Sequence, residues 1–363
     1  MKNLLILGLL VAAFITFTPL KEYLTEARAE SRDWAEDQSI VVASAETEAV
    51  QAEVDTDAAD DSAIWYCKEN PSQSLVIGTD KKFGLNIYDL NGKKLQSYKI
   101  GELNNVDVRQ DVFDSIDIVG ASNRTTIGMD FWMVQVHNDL PKLTFIGSIK
   151  SRLPDVYGFC LGMNLETNEV YGLINSKTGK VEQWKLSLKQ DKIEGELQRE
   201  LRLQSQVEGM AADDKLGRLY VGVEEAGIYR FELNESEATD GTLVKNSTEA
   251  NSEIKFDIEG LTIYEEANGN GYLVASIQGN NSFAVFERAG DNAYVGSFKI
   301  MAGPFDGVQE TDGVHVTSLP LGPRYPKGML VCQDGENFDG ATKVPQNFKY
   351  VSWELIAKEL GLK

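Results

Sequence analysis

Histidine is almost missing from this chain: two among 363 residues, His137 and His315, beside three cysteines, Cys67, Cys160 and Cys332. With no HExxH and no CxxC pair, zinc chemistry and thiol redox chemistry are excluded as its main activity. The three scattered cysteines leave room for one disulfide whose pairing the sequence does not specify. Covalent hydrolase signatures are absent as well. There is no GxSxG elbow, no Cys-x5-Arg loop, no Arg-His-Gly, no GxxxxGK[ST] and no GxGxxG after a strand. A hydrolase built on this chain must therefore rely on metals instead of a covalent nucleophile. Positive charge is also scarce. Lys and Arg number 35 against 56 Asp and Glu, for a net charge of −21, which repels nucleic acid and anionic membranes unless cations intervene. Proline is rare, with nine residues against 32 glycines, as suits a chain of many tight turns.

Only one long apolar run is present, from Leu4 to Phe17, preceded by Lys2 and followed by the small-x-small run Ala27, Arg28, Ala29. Residues 1–29 therefore read as an export signal, which predicts a secreted or periplasmic protein. The charged stretch from Lys21 to Arg28 lengthens the segment before the cleavage site, so a short membrane anchor is the alternative. Leu4 to Leu20 is 17 residues, at the short edge of the roughly 20 that a spanning helix needs. Residues 30–59 are acidic and rich in Ala, Ser and Glu. They read as a linker, with one strand candidate at Ser39 to Ala45 that is expected to close a ring.

What is present is a repeat. Fresh β-rich units start at Asp61, Asp107, Tyr157, Glu208, Glu259 and Asp312, at spacings of 46, 50, 51, 51 and 53. A period near 50 in β-units indicates propeller blades. Middle strands are expected as short apolar runs at Leu75 to Gly78, Ile116 to Gly120, Val170 to Ile174, Arg218 to Gly222, Gly271 to Ala275 and Gly328 to Val331. Third strands with period-two alternation are expected at Gly84 to Leu90, Val181 to Leu186, Gly227 to Leu233 and Ser282 to Arg288. Turn signals fall between them at Asn91-Gly92, Thr178-Gly179 and Asn268-Gly269. The prediction is an all-β, six-bladed propeller over 60–363, with Trp353 to Leu360 as a helix capping the rim.

Five of the six starts are acidic, and a propeller gathers equivalent positions of its blades around one axis. In DIEG the alternation of a strand puts Asp257 and Glu259 on one side. Further acids come from Asp60 with Asp61, Glu224 with Glu225, Asp306 with Asp312, and DGEN at 334–337. Carboxylates and amides without clustered His or Cys select hard cations, Ca²⁺ before Mg²⁺. No EF-hand loop is present, so the ligands would be drawn from several blades. Lys81, Arg124 and Lys177 each follow a middle strand. Cations beside acid-bound metal make a pocket for a polyanion, phosphate above all.

The ordered runs DDSAIW (60–65), GTDKK (78–82), LNNVDVR (103–109), ASNR (121–124), VYGF (156–159), EGMAADD (208–214), DIEGLTIY (257–264), QGN (278–280), TDG (311–313), QDGEN (333–337) and QNFK (346–349) resemble the β-propeller phytases, a calcium-dependent family. The resemblance covers about residue 46 to 360. It implies a 3-phytase, a phosphoric monoester hydrolase that takes phosphate from myo-inositol hexakisphosphate with several Ca²⁺ ions and a metal-activated water. Channel calcium ligands would be Tyr157, Glu208, Glu224, Asp257, Glu259 and Asp312, with Asp306 an addition. A structural calcium would draw on Asp61, Glu336, Asn337 and Asp306, and the family's upstream acid falls on Glu46. Phosphate contacts would be Lys81, Arg124, Tyr157 and Lys177. These residues, together with Glu208, Asp257 and Glu259, form the expected catalytic set. The chain departs from the family at Ser62, where proline is usual, and at Thr178, where an acid is usual. The partner implied is a small molecule, phytate as its calcium complex, bound by a monomer with no nucleic acid and no membrane contact beyond the N-terminal segment. Two rival readings are a calcium-dependent propeller lactonase or esterase of the gluconolactonase type and a non-catalytic calcium-binding propeller.

Overall fold

The computed structural model describes residues 39–137 and 140–362; the expected export signal lies outside the described residues. Six antiparallel sheets follow one another along the chain. Blade 1 is Ala59–Trp65, Leu75–Asp80, Gly84–Tyr88 and Lys94–Lys99. Blade 2 is Leu103–Val112, Ile116–Asn123, Gly128–His137 and Leu140–Lys150, and blade 3 is Phe159–Asn164, Glu169–Asn175, Lys180–Lys189 and Lys192–Arg202. Blade 4 is Val207–Asp213, Arg218–Val223, Gly227–Glu232 and Thr242–Leu243. Blade 5 is Ile258–Glu265, Gly271–Ile277, Ser282–Glu287 and Tyr294–Met301; blade 6 is Val314–Thr317, Met329–Asp334 and Asn347–Ser352. All six expected middle strands and all four expected third strands are found, each within a few residues of its expected bounds. Middle strands such as Leu75–Asp80 and Gly271–Ile277 are buried along their whole length, because neighbouring blades cover both of their faces.

The stretch read as a linker does more than link. Ser39–Val42 pairs as a fifth strand beside Tyr294–Met301 of blade 5, and Ala45–Glu46 becomes the fourth strand of blade 6, with Ala45 opposite Tyr350 and Glu46 opposite Lys349. The N-terminal chain thus completes the sheet that the C-terminal chain began. Such closure pairs the outer edge of Asn347–Ser352 and ties the last blade to the chain that leads into the first. Six apolar clusters fill the six gaps between neighbouring blades, one of them joining Ala45, Val50 and Ala58 to Tyr88 of blade 1 and Tyr350 of blade 6. The helix Trp353–Glu359 begins where the last strand ends. Its Trp353 ring stacks on Tyr264 of blade 5 at 3.9 Å, so the helix seals the gap between blades 5 and 6.

A shared local irregularity decides which side chains reach the axis. In blades 1, 2, 4 and 5 the inner strand carries a β-bulge: three residue steps, Ala59 to Ser62, Leu103 to Val106, Val207 to Met210 and Ile258 to Leu261, face two on the partner strand. A bulge re-aims side chains and often borders a functional site. The two bulge residues are Asp60 and Asp61, Asn104 and Asn105, Glu208 and Gly209, and Glu259 and Gly260. In blades 3 and 6 the same places are taken by Tyr157 and Gly158, and by Asp312 and Gly313. The second position is crowded: a Cβ on Gly260 would lie 2.7 Å from the Asp312 carbonyl oxygen of the next blade, and Gly158, Gly209 and Gly313 face their next blades in the same way.

This register corrects the repeat phase of blades 1 and 2. The equivalents of Glu208 and Glu259 are Asp60 and Asn104, not Asp61 and Asp107. Asp107 instead holds Arg109 at 2.9 Å, and Arg109 also reaches Asp214 at 2.9 Å and the Leu161 carbonyl at 2.7 Å, so it ties blades 2, 3 and 4 together. The three cysteines are all buried and free.

Candidate active site at the axis of the ring

The first bulge residues converge at one mouth of the ring. There a cavity of about 490 Å³ is lined by Lys81, Tyr157, Glu224, Asp257, Glu259 and Asp312, among others. Glu208 lies against it, 1 % exposed. Carboxylate oxygens of Glu208, Glu224 and Glu259 all lie within 4.8 Å of one another. Asp257 and Glu259 share the cavity, as strand alternation suggested. The amide of Gln206 donates to Glu224 at 2.6 Å, and that of Gln278 donates to Asp312 at 2.7 Å. Asn104 donates to Glu208 Oε1 at 2.7 Å.

One oxygen of several acids is left over. Glu208 Oε2, Glu259 Oε2 and Asp60 Oδ2 are buried without a hydrogen-bond partner. Buried carboxylate oxygens in this state cost several kcal/mol each unless a proton or a cation meets them. Their electrostatics register that cost. Burial, followed by the charge of Asp60, pushes Glu208 up to about 8. Burial and then Glu208 raise Glu259 well above the carboxylate range, and burial raises Asp312 although Lys81 opposes it. Burial and then Glu208 raise the Tyr157 phenol too, so it keeps its proton. A site of oxygen donors, with carboxylate oxygens of three glutamates within 4.8 Å of one another and unpartnered buried oxygens beside them, fits a hard divalent cation of the calcium type.

The cations sit beside these acids. Lys81 Nζ lies 2.5 Å from Asp57, 2.9 Å from Asp60 and 3.0 Å from Asp312. Burial works against its charge, but Asp60, Asp312 and Asp57 more than offset that and raise its pKa. Lys177 places its ammonium 4.2 Å from the centre of the Tyr157 ring. Arg124 reaches Asn104 Oδ1 at 3.5 Å and so stands over the residue that holds Glu208. Both of these side chains are exposed at the rim.

Of the residues grouped for a structural calcium, Asp306 and Asn337 share one cluster, while Asp61 and Glu336 take other partners. Asp61 Oδ2 accepts from the Val106 amide at 3.1 Å and from Asn105 at 3.2 Å, beside a small axial cavity that also contains Asp107 and His315. Glu336 pairs with Lys343 at 2.8 Å. Glu46, Asp306 and Asn337 do converge, but on the ammonium of Lys349: Glu46 at 2.5 Å, Asn337 at 3.0 Å, Asp306 in direct contact, and Asp334 at 3.2 Å. Lys349 is the cation that the chain itself supplies to this cluster. Asp60, Asn104 and Lys349 are the residues that strand spacing alone did not single out. The signal for Asp60 and Asn104 was the doubled polar pair near the start of each inner strand, Asp60-Asp61 and Asn104-Asn105, and it required the bulge to be read.

Comparison with known proteins agrees with this geometry. Residues 5–363 match the family model described as phytase. The chain is 44 % identical over 314 residues to a protein of Bacillus subtilis (strain 168) named 3-phytase, covering 84 % of this chain and 82 % of that relative. A ring of six blades, an acid-lined axial cavity with lysines at its wall, and a match that runs over nearly the whole length agree with one another: the chain belongs to the phytase family.

Proposed function

We propose that this protein is a calcium-dependent 3-phytase, that the axial cavity is its active site, and that phosphate is released from myo-inositol hexakisphosphate by direct attack of water. The observation that carries the reading is the set of unpartnered buried oxygens on Glu208, Glu259 and Asp60 next to the ammonium of Lys81. Glu208, Glu224, Asp257, Glu259 and Asp312 would hold the ions, with Tyr157 at their edge. Bound calcium supplies positive charge for phosphate oxygens and acidifies water.

The chain's own residues do the positioning. Lys81, held charged by three acids, places its ammonium at the cavity wall, where it attracts a phosphate oxygen. Arg124 presents a planar fork to two oxygens of one phosphate, and Lys177 adds a point charge over Tyr157. The Tyr157 hydroxyl, kept protonated, donates and does not repel. Together these donors stabilise charge on the equatorial oxygens as the bond to the leaving oxygen lengthens. Calcium also reconciles a chain of net charge −21 with an anionic substrate. The reading of the N-terminal segment as an export signal supports a site of action outside the cytoplasm, and the protein is proposed to act as a monomer.

The test is phosphate release from phytate before and after a chelator in excess. Activity is expected to vanish and to return when calcium is restored. Turnover that survives calcium removal would rule the reading out.

A further inference from the structure

The cavity holds a second lysine. Lys343, on the short hairpin Phe338–Asp339 and Thr342–Lys343, lines the same space as Lys81. Its ammonium lies 2.6 Å from Asp55 and 2.8 Å from Glu336. Lys81 for its part meets Asp57 at 2.5 Å. One segment of three residues therefore places a carboxylate on each cavity lysine. Both carboxylates are open to water, with side-chain exposure of 71 % for Asp55 and 70 % for Asp57. The segment is pinned just downstream: the Ala58 amide donates to Gln346 Oε1 at 2.7 Å, and the Ala58 carbonyl accepts from the Lys81 amide at 2.7 Å.

We propose that Lys343 is a second anchor for substrate phosphate, and that Asp55 and Asp57 occupy the two cavity lysines as internal anions until a polyphosphorylated substrate takes their place. The proposal rests on the phytase reading above and adds a positioning residue to it. Each pair is open to water on its aspartate side, although Lys81 itself is 5 % exposed and Lys343 30 %, and a phosphate brings close to two negative charges and three acceptor oxygens, so the exchange favours substrate. Neither lysine is lost when its aspartate leaves. Lys81 keeps Asp60 and Asp312, and Lys343 keeps Glu336. A cavity of about 490 Å³ falls in the range of small-molecule sites, so a ligand with several phosphates can engage both lysines at once. A substrate with a single phosphate engages one.

The test uses the full chain with saturating calcium, an Asp55→Asn/Asp57→Asn double variant and a Lys343→Met variant, each checked for native circular dichroism. Two readouts are taken: calorimetric binding of myo-inositol hexakissulfate, which is not turned over as a phosphate ester, and KM for phytate against KM for 4-nitrophenyl phosphate. The double variant is expected to bind the hexasulfate about fivefold more tightly. Lys343→Met is expected to bind it more weakly and to raise KM for phytate more than KM for the single-phosphate ester. Unchanged binding in both variants overturns the proposal. Weaker binding by the double variant, with a higher calcium requirement, also overturns it, because the two acids would then be serving the metal. A wild-type chain that binds hexasulfate but turns over no phytate would reject the phytase reading, while the binding series still decides the role of Lys343.

Discussion

Lys349 is fully buried, and its ammonium is surrounded by Glu46, Asp306, Asp334 and Asn337, drawn from the N-terminal strand, the approach to blade 6 and blade 6 itself. Removing one partner of such a cluster is worse than never having built it, because the remaining charges stay buried and unmatched. Lys349→Met is therefore expected to lower stability by about 3–5 kcal/mol, read as a shift of the urea midpoint at constant slope. Burial already pushes Asp334 up to about 7, so protonation relieves the unmatched acids, and the loss should be smaller at pH 5 than at pH 8. An unchanged midpoint would show that the acids find another partner. Nothing in the local sequence QNFK announces this role, since Glu46 lies 303 positions away and is brought there only by ring closure.

At the scale of the element, the inner strands owe their function to a bulge and to the glycine that follows the axial residue in blades 3 to 6. The built Cβ of Gly260 would lie 2.7 Å from both the Asp312 carbonyl oxygen and the Val314 amide nitrogen, atoms of the next blade's backbone that cannot rotate away. Gly260→Ala should therefore cost about 1–3 kcal/mol, as overpacking does, and should lower turnover by displacing Glu259 from its neighbours. Chemical denaturation and phosphate release on the same preparation check both effects, and a fully active, fully stable variant would mean that the gap between blades 5 and 6 can widen. Strand positions were legible because alternation and short apolar runs are local properties of the chain. The phase of blades 1 and 2 was not. A bulge adds one residue against the partner strand, so the repeat phase set on Asp61 and Asp107 lands on residues that bind Val106 or Arg109 and line the small cavity instead of the acid-lined one.

For the whole molecule, the acids that gather at the axis oppose folding until something meets their charge. Glu208, raised to about 8 by burial and by Asp60, binds its proton more tightly in the folded protein than in the unfolded chain. A carboxyl with a raised folded pKa contributes stability that is complete below its ordinary value of 4.5 and is lost as pH rises toward 8. With chelator present, the melting temperature should fall across that window. With calcium it should fall less, so the stabilisation by calcium grows with pH. Thermal melts at several pH values, with and without calcium, decide this; a flat profile in chelator would show that the axial acids are already matched within the folded protein.

The sequence by itself determined the architecture and most of the chemistry. A period near 50 with strand-like alternation admits few folds, and a chain nearly without His but rich in placed acids admits few metals. Its ordered motifs were enough to mark a resemblance to the phytases. Only the tertiary structure decided which acids share a cavity, that Asp60 and Asn104 stand at the axis, that Lys349 supplies its own cation to the Glu46 and Asp306 cluster, and that Asp55 and Asp57 sit on the cavity lysines. The physical reason is the same in each case. Pattern along a chain is set by neighbours a few residues apart, whereas bulge register, burial and charge pairing are set by blades that meet only when the ring is closed.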